Sequence, residues 1–325
     1  KDIVTLTLVS KGDGQSADDA TTGTSRTTAP ADGSASAATP ATSHRWGFPT
    51  DPGVDDPNLP KVFLLPLEGG VGDGTRHDEI KAIGEVADRF GPGHIIVFKV
   101  KSPGGLVLEA DLIHETMMDL KSRHRLIAWI EEAISAAAFT SLHCNEIYFM
   151  TKGALGSATM FAGQKAIEGE QLAAWVKKFG DVAAESGHSR ELAEAMITNS
   201  ELASYDPADG DTPPRIYGDL SGEIILSRET ENLTINATDA VACGFASGVA
   251  DTEEDLAELL QLPRWYETTD DGRLIHQRWH ETLKRAQREV PELLLRVQGA
   301  LGADPGNNEI TLSRQIDACN KVLNW

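Results

Sequence analysis

FKVKSPGGLVLEAD, residues 98–111, joins an apolar run to an amphipathic one through Ser102-Pro103-Gly104-Gly105. Proline fixes φ and removes a backbone donor, and paired glycines let another segment of backbone come close. On its own, a Pro-Gly-Gly sequence is typical of a tight strand-to-helix turn. The turn gains a second interpretation from the residues that follow it about thirty positions later.

A serine stands at the corresponding place after the next apolar run. In AWIEEAISAAAFTSLHC, residues 128–144, Ser135 lies where a strand passes into a helix of small residues. This position exposes its hydroxyl at a helix N-terminus, whose dipole favours developing negative charge. The amides of Gly104, Gly105 and Ala136 can then donate to an oxyanion. The alternative interpretation is that Ser135 only caps the helix.

Apolar runs and amphipathic stretches alternate along the middle of the chain. The sequence predicts buried strands at KVFLLPLEG (61–69), GHIIVFKV (93–100), RLIAWI (125–130) and EIYFM (146–150), with helices at 76–90, 105–122 and 135–144. Strands made of continuous apolar runs and separated by helices are typical of a parallel sheet covered on both faces. A helical region is expected at 170–200, and a hairpin-like pair of strands with a short helix at 222–246. The predicted fold class is therefore α/β.

Composition divides the chain into three parts. Residues 1–60 are predicted to be a low-complexity linker or stalk, because the Ser/Thr/Ala/Pro/Gly-rich segment from residue 11 cannot bury enough apolar surface to fold. A short strand is expected before it, at DIVTLTLVS (2–10). Residues 61–262 are predicted to form the main domain. Residues 263–325 are predicted to be a helical C-terminal extension used for packing or partner contact, with a helix that Pro291 kinks or splits.

Charge and cysteine usage narrow the classes of function. The net charge is −21, from 50 acidic and 29 basic residues, so binding to nucleic acid is not expected. The three cysteines, Cys144, Cys243 and Cys319, have no metal-ligand spacing, and we expect no metal and no cofactor. The chain begins at Lys1 without Met, which suggests that a targeting or anchoring segment precedes it.

The order and spacing of the motifs resemble those of the Clp-protease/crotonase superfamily, in particular signal peptide peptidase A and the NfeD-type serine proteases. The resemblance covers residues 61–262 and rests on SPGG (102–105), ISAA (134–137), EIYFM (146–150) and GSA (156–158). It implies a ClpP/crotonase-like fold of repeated ββα units with a helical arm. It also implies that Ser135 is the nucleophile and that Gly104, Gly105 and Ala136 form the oxyanion hole.

The base that would deprotonate Ser135 is not fixed by the motifs. Clp-type members use a His further along the chain, and the corresponding stretch, LGSATMFAG (155–163), contains none. NfeD-type members use a Lys, and that position falls near Glu170. The nearest lysine is Lys165, which a small difference in loop length would bring into register. We predict Lys165 as the base, while loss of the base is equally compatible with the sequence.

The resemblance implies a serine peptidase that cleaves peptide bonds without ATP, since the chain has no phosphate-binding loop. One alternative is a catalytically silent member of the fold that binds peptides by strand addition. Another is an acyl-CoA enzyme of the crotonase branch. The expected partners are a peptide or protein substrate, further copies of the chain in a dimer or trimer, and a membrane protein. The expected location is extracytoplasmic or periplasmic, with membrane association through the upstream segment.

Overall fold

The computed structural model describes residues 59–163, 165–227, 230–301 and 308–323, and the backbone of three short segments at 6–8, 42–43 and 49–50. The predicted linker at 11–58 therefore lies outside the described residues, apart from two of these segments. Residues 1–10 and 61–325 form one compact unit, and residues 11–60 form another. The boundary predicted at residue 263 stays a prediction.

The secondary structure follows the predicted alternation through the middle of the chain. The strands are β1 (Leu6–Leu8), β2 (Thr42–Ser43), β3 (Pro49–Thr50), β4 (Val62–Glu68), β5 (Ile95–Ser102), β6 (Arg125–Ile134), β7 (Glu146–Gly156), β8 (Met160–Ala162), β9 (Lys165–Ala166), β10 (Ser204–Asp206), β11 (Arg215–Tyr217), β12 (Ile224–Ile225), β13 (Thr234–Asn236) and β14 (Gly248–Val249). The helices are α1 (His77–Asp88), α2 (Val107–Lys121), α3 (Ala136–Ser141), α4 (Gly169–Glu185), α5 (Arg190–Ala195), α6 (Ala237–Ala242), α7 (Glu253–Leu259), α8 (Asp271–Leu301) and α9 (Asn308–Leu323).

The main sheet has the strand order β13-β7-β6-β5-β4, with β14 also beside β7. The strands β4, β5, β6 and β7 pair in parallel, and β13 pairs with β7 in the antiparallel direction. The first six residues of β4 are buried, as are the first four of β5, because helices and loops cover both faces. The predicted α/β class with a parallel sheet is confirmed.

The parallel direction places the carboxyl ends of the central strands at one edge of the sheet. Strand β5 ends at Ser102, directly before Pro103-Gly104-Gly105, and β6 ends at Ile134, directly before Ser135. In the register of the pair, Ser102 lies opposite Ala133. The two motifs therefore meet at this edge, where ligands of parallel α/β sheets are usually bound.

Two features of the predicted secondary structure were wrong in detail. The strands β12 and β13 do not form a hairpin, since β12 pairs with β10 and β13 pairs with β7. The partner of each strand is distant in sequence, and local hydrophobic periodicity does not predict which distant strands pair. Pro291 lies inside α8 and does not split it, since α8 continues as one helix from residue 271 to residue 301; the alternative of a kink stays a prediction.

The segment that leads into α8 covers the free edge of the sheet. Thr268 donates its backbone N–H to the Val62 carbonyl (2.8 Å), and its hydroxyl accepts from the Val62 N–H (3.0 Å). At Gly272, a Cβ would lie 1.9 Å from the carbonyl oxygen of Leu64, so only glycine permits the helix to begin so close to β4. The edge strand is thereby shielded from pairing with another chain.

Candidate active site

Ser135 occupies a strained backbone position between β6 and α3. Its φ is 61° and its ψ is −122°, and its side chain is fully buried. A positive φ is uncommon for a residue with a side chain. The conformation is held by a hydrogen bond from the Ser135 N–H to the carbonyl of Gly156 (2.9 Å) and by the start of α3, where Phe139 donates to the Ser135 carbonyl (3.2 Å).

Gly104 lies directly against this serine. A Cβ built on Gly104 would be 2.4 Å from the Cβ of Ser135 and 2.9 Å from its Oγ, so no other residue fits without displacing the serine. The φ of Gly104 is 93°, which also favours glycine. Its amide donates to the buried hydroxyl of Ser102 (3.3 Å). The structure therefore brings the Ser-Pro-Gly-Gly turn and Ser135 together, as the spacing predicts.

Of the three predicted oxyanion donors, the amides of Gly105 and Ala136 are unoccupied among the described residues, whereas the Gly104 amide is bonded to the Ser102 hydroxyl. Among the described residues, the Gly105 N–H has no hydrogen-bond acceptor. Ala136 is the first residue of α3, so its N–H has no intrahelical acceptor. Gly105 also packs tightly, because a Cβ there would lie 2.1 Å from the carbonyl oxygen of Val71. Two donors of this kind beside a serine can stabilise the oxyanion of acyl transfer.

The predicted base does not contact the serine in this structure. Within the described part of the chain, the Oγ of Ser135 is buried and has no hydrogen-bond partner. Lys165 is exposed on β9, in the short hairpin with β8, where it lies opposite Ala162. Its role as the base stays a prediction. Glu170, near the position of the family lysine, is exposed in the first turn of α4.

Other lysines in the region are engaged in ion pairs or exposed. Lys177 pairs with Asp181 (2.5 Å), and Lys178 pairs with Asp111 (2.5 Å). The Nζ of Lys178 also lies 5.1 Å from the centre of the Trp175 ring. Both lysines are therefore held beside carboxylates. Lys152 is exposed on β7.

His143 and Cys144, which follow α3, cannot supply the missing base. The ring of His143 is fully buried, donates through Nδ1 to the Phe139 carbonyl (2.8 Å) and accepts through Nε2 from His114 (2.8 Å). Burial, with a smaller contribution from His114, lowers the pKa of His143 to about 3. Burial also raises the pKa of the Cys144 thiol well above its usual range. Both residues serve the packing of α3.

The loop between β4 and α1, residues 69–76, borders the site, and its place there was not predicted from the sequence. Val71 donates its N–H to the carbonyl of Gly104 (2.8 Å) and accepts from the N–H of Leu106 (2.8 Å). The loop therefore brackets the Gly104-Gly105 turn on both sides. Its signal was the glycine-rich run EGGVGDGT, residues 68–75, directly after a predicted strand.

A strand from the beginning of the chain lies beside the site. Strand β1 pairs in the antiparallel direction with β8, with Thr7 opposite Phe161, and β1 also contacts α2. Strand β8 begins four residues after Gly156, whose carbonyl holds Ser135, and α2 begins two residues after Gly105. Strand β1 thus fills a groove between β8 and α2 as an added strand.

Comparison with known proteins finds a similar family and a similar curated protein. Residues 61–212 match the family model described as the NfeD1b N-terminal domain. The chain is also 27% identical over 205 residues to membrane protein NfeD1b of Bacillus subtilis. The predicted resemblance to the NfeD-type proteins is confirmed. The match covers 61% of this chain and 41% of the NfeD1b relative, so the chain spans about two fifths of the length of that protein.

Solved structures of a membrane-bound protease are similar as well. A serine-to-alanine mutant of the 1510-N membrane-bound stomatin-specific protease aligns at 15% identity over 64% of this chain and 92% of its own, with a TM-score of 0.46. A lysine-to-alanine mutant of that protease in complex with a substrate peptide aligns at 14% identity over 69% and 99%, with a TM-score of 0.47. The 1510-N membrane protease specific for a stomatin homolog from Pyrococcus horikoshii aligns at 15% identity over 65% and 88%, with a TM-score of 0.43.

The NfeD1b match ends at residue 212, well before α8. In the described part of the chain, no helix has the length and hydropathy needed to cross a bilayer. No group of three or more His, Cys, Asp or Glu side chains among the same residues is arranged to hold a metal ion.

Proposed function

We propose that this chain is a serine peptidase of the NfeD type, in which Ser135 is the nucleophile. The observation that supports this best is the strained backbone of Ser135, with φ at 61° and Gly104 packed against its side chain. Such strain costs about 1–3 kcal/mol and persists only where the surrounding structure enforces it, most often at functional sites. A serine that merely capped α3 would not need it.

The reaction would follow the geometry of the site. The Oγ of Ser135 attacks the carbonyl carbon of the peptide bond, and its proton passes to the base. The carbonyl oxygen becomes an oxyanion, which the amides of Gly105 and Ala136 stabilise, while Gly104 allows the close approach. The base returns the proton to the departing amine, and water then hydrolyses the acyl-enzyme with the same residues.

Lys165 is the base that we propose. Its exposure on the β8–β9 hairpin means that the hairpin must bring the amine to Ser135 when a peptide is bound, and catalytic hydrogen bonds are often long before the substrate arrives. The peptide would lie in the groove between β8 and α2. Pairing of β1 with β8 supports this placement, because the same edge accepts an extended strand.

A fluorophosphonate probe tests the proposal, since it reacts only with an activated serine. We expect the full chain to be labelled at Ser135 and the Ser135→Ala variant not to be labelled. Mass spectrometry of the digested protein identifies the modified residue. Absence of labelling in the unmodified chain, together with intact folding, would contradict the peptidase.

The second candidate is a catalytically silent protein that binds peptides in the same groove. The observation that favours it is the Ser135 Oγ, which is buried and has no hydrogen-bond partner among the described residues, while Lys165 is exposed. In that case an extended peptide would bind equally well to the unmodified chain and to Ser135→Ala, and neither would release cleaved products.

We further propose that the chain self-associates and acts at a membrane outside the cytoplasm. Two leucines on one face of α2 support association, because Leu108 is 59% exposed and Leu112 is 42% exposed. The name of the NfeD1b relative supports the membrane setting and a membrane-protein partner. Sedimentation of the full chain at micromolar concentration is expected to give a dimer or trimer, and a monomer alone would contradict the association.

A further inference from the structure

The long C-terminal helix contacts the loop that borders the site. The indole N–H of Trp279 donates to the carbonyl of Asp73 (2.5 Å), and Nε2 of His280 donates to the carbonyl of Gly74 (3.1 Å). The guanidinium of Arg76 lies 4.3 Å from the centre of the Trp279 ring, within the range of a cation–π contact. Two consecutive residues of α8 are thus bonded to two consecutive carbonyls of the loop.

The loop is closed by its own backbone. Gly72 donates to the Thr75 carbonyl (2.9 Å), and the amides of Gly74 and Thr75 both donate to the Gly70 carbonyl (2.8 and 2.9 Å). Thr75 is buried, with 2% of its surface exposed. Because these bonds span the loop, the positions of Asp73 and Gly74 fix the positions of the residues before them.

The other side of the loop is bonded to the turn that faces Ser135. Gly69 donates to the carbonyl of Lys101 (3.1 Å), Val71 donates to the carbonyl of Gly104 (2.8 Å), and Leu106 donates to the carbonyl of Val71 (2.8 Å). A continuous set of hydrogen bonds therefore runs from α8 through the loop to the Gly104-Gly105 turn.

We infer that Trp279 and His280 are positioning residues for this turn, so that the C-terminal helix is part of the machinery that holds the oxyanion donors in place. The inference rests on the proposed function for the role of the turn, and on the observed bonds for the connection itself. The NfeD1b family match ends at residue 212, so nothing in that match assigns a role to these two residues. Misplacement of a reacting group by about 1 Å can cost about a hundredfold in rate, which makes the connection measurable.

The variant Trp279→Phe/His280→Ala removes both donors and keeps an aromatic ring beneath Arg76. Gln277→Ala is the matched control, because Gln277 lies on the same helix, is exposed and, among the described residues, has its hydrogen bond with Glu281 of α8 alone. Saturation kinetics of fluorophosphonate labelling separate the maximal labelling rate from the half-saturating probe concentration. We expect the maximal rate of the double variant to fall about tenfold or more with the half-saturating concentration unchanged, and the control to match the unmodified chain.

A conservative variant distinguishes positioning from simple packing. His280→Gln keeps an N–H donor at this position, so we expect it to retain the maximal rate in the Trp279→Phe background, whereas His280→Ala does not. Equal labelling kinetics in all variants would overturn the inference, as would a loss of rate that His280→Gln does not restore.

Hydrogen–deuterium exchange tests the same connection without catalysis. The amides of Val71 and Leu106 are both hydrogen-bonded across the loop and the turn, so we expect both to exchange faster in the double variant and at the normal rate in Gln277→Ala. If the unmodified chain is not labelled at all, the proposed function fails, and faster exchange at Leu106 still supports the connection. Unchanged exchange at Leu106 in the double variant would overturn it.

Discussion

Gly104 and Ser135 are in such close contact that each depends on the other. A Cβ on Gly104 would lie 2.4 Å from the Ser135 Cβ and 2.7 Å from the carbonyl oxygen of Ile134. A side chain at position 104 would therefore clash with the side chain of Ser135 and with the backbone of Ile134. The glycine turn after β5 and the strained serine after β6 form one structural unit.

Replacement of Gly104 by Ala is therefore expected to abolish fluorophosphonate labelling and to destabilise the fold. Gly93→Ala is the matched control, because Gly93 also has a positive φ (88°), but a Cβ added there would meet no atom within 4 Å. The control should lose about 1–2 kcal/mol of unfolding free energy from the backbone strain alone. Chemical denaturation and probe labelling measure both. A Gly104→Ala protein that is labelled like Gly93→Ala would contradict the close contact.

Replacement of Ser135 by Gly is expected to stabilise the fold relative to Ser135→Ala. Both variants lose the hydroxyl and the labelling, but only glycine relieves the strain of about 1–3 kcal/mol at a φ of 61°. The added freedom of glycine in the unfolded chain offsets about 0.5–1 kcal/mol of this gain. We expect a net difference of about 1 kcal/mol in denaturant unfolding. Equal stability of the two variants would show that the serine is not strained.

The fold class and the meeting of the glycine turn with Ser135 could be predicted from the sequence, because both depend on short-range signals. The apolar runs of β4, β5, β6 and β7 and the turn at Gly104 are local features, and the parallel direction of the strands brings two strand ends to one edge. The spacing from Gly105 to Ser135 then predicts that they meet.

Contacts between distant segments could not be predicted in the same way. The bond from Trp279 to the carbonyl of Asp73 joins residues 206 positions apart, and periodicity alone predicts only an amphipathic helix around Trp279. The partner of β12 is likewise set by packing rather than by local pattern. The base is the clearest case, since the position of Lys165 relative to Ser135 depends on the conformation of one short hairpin.

Lys165→Ala is expected to lower the rate of labelling at least about tenfold, because a general base typically contributes more than this. Lys152→Ala and Lys177→Ala are controls that should leave the rate unchanged, as Lys152 is exposed on β7 and Lys177 pairs with Asp181. Undiminished labelling of Lys165→Ala would rule out this lysine.

Release of β1 from β8 is expected to speed labelling. The variant Leu6→Pro/Thr7→Pro removes two successive backbone N–H groups of β1. Successive N–H groups of a strand point in opposite directions, so one of the two must be directed at β8. The groove is then free, and the rate should rise by about an order of magnitude, because a tethered segment competes at roughly millimolar effective concentration. Thr21→Pro/Thr22→Pro is the control with the same chemistry. Equal rates in both variants would show that β1 does not obstruct the groove.

His143 should make the fold sensitive to acid. Its pKa is lowered to about 3 in the folded chain by burial, from an ordinary value of 6.5, so the unfolded chain binds a proton first as the pH falls. Stability is therefore lost between about pH 6.5 and pH 3. Between pH 7 and pH 4.5 the free energy of unfolding of the unmodified chain should fall by about 2–3 kcal/mol more than that of His143→Gln. Urea unfolding at the two pH values measures this difference. An equal fall in unfolding free energy in both proteins would contradict a neutral buried histidine.

The most direct measurement is the reaction of the unmodified full chain with a fluorophosphonate probe between pH 6 and pH 10, with the adduct located by mass spectrometry. We expect a single adduct on Ser135 that is absent from Ser135→Ala. A folded chain that forms no adduct on Ser135 at any pH in this range would contradict the peptidase and leave a peptide-binding protein that does not cleave.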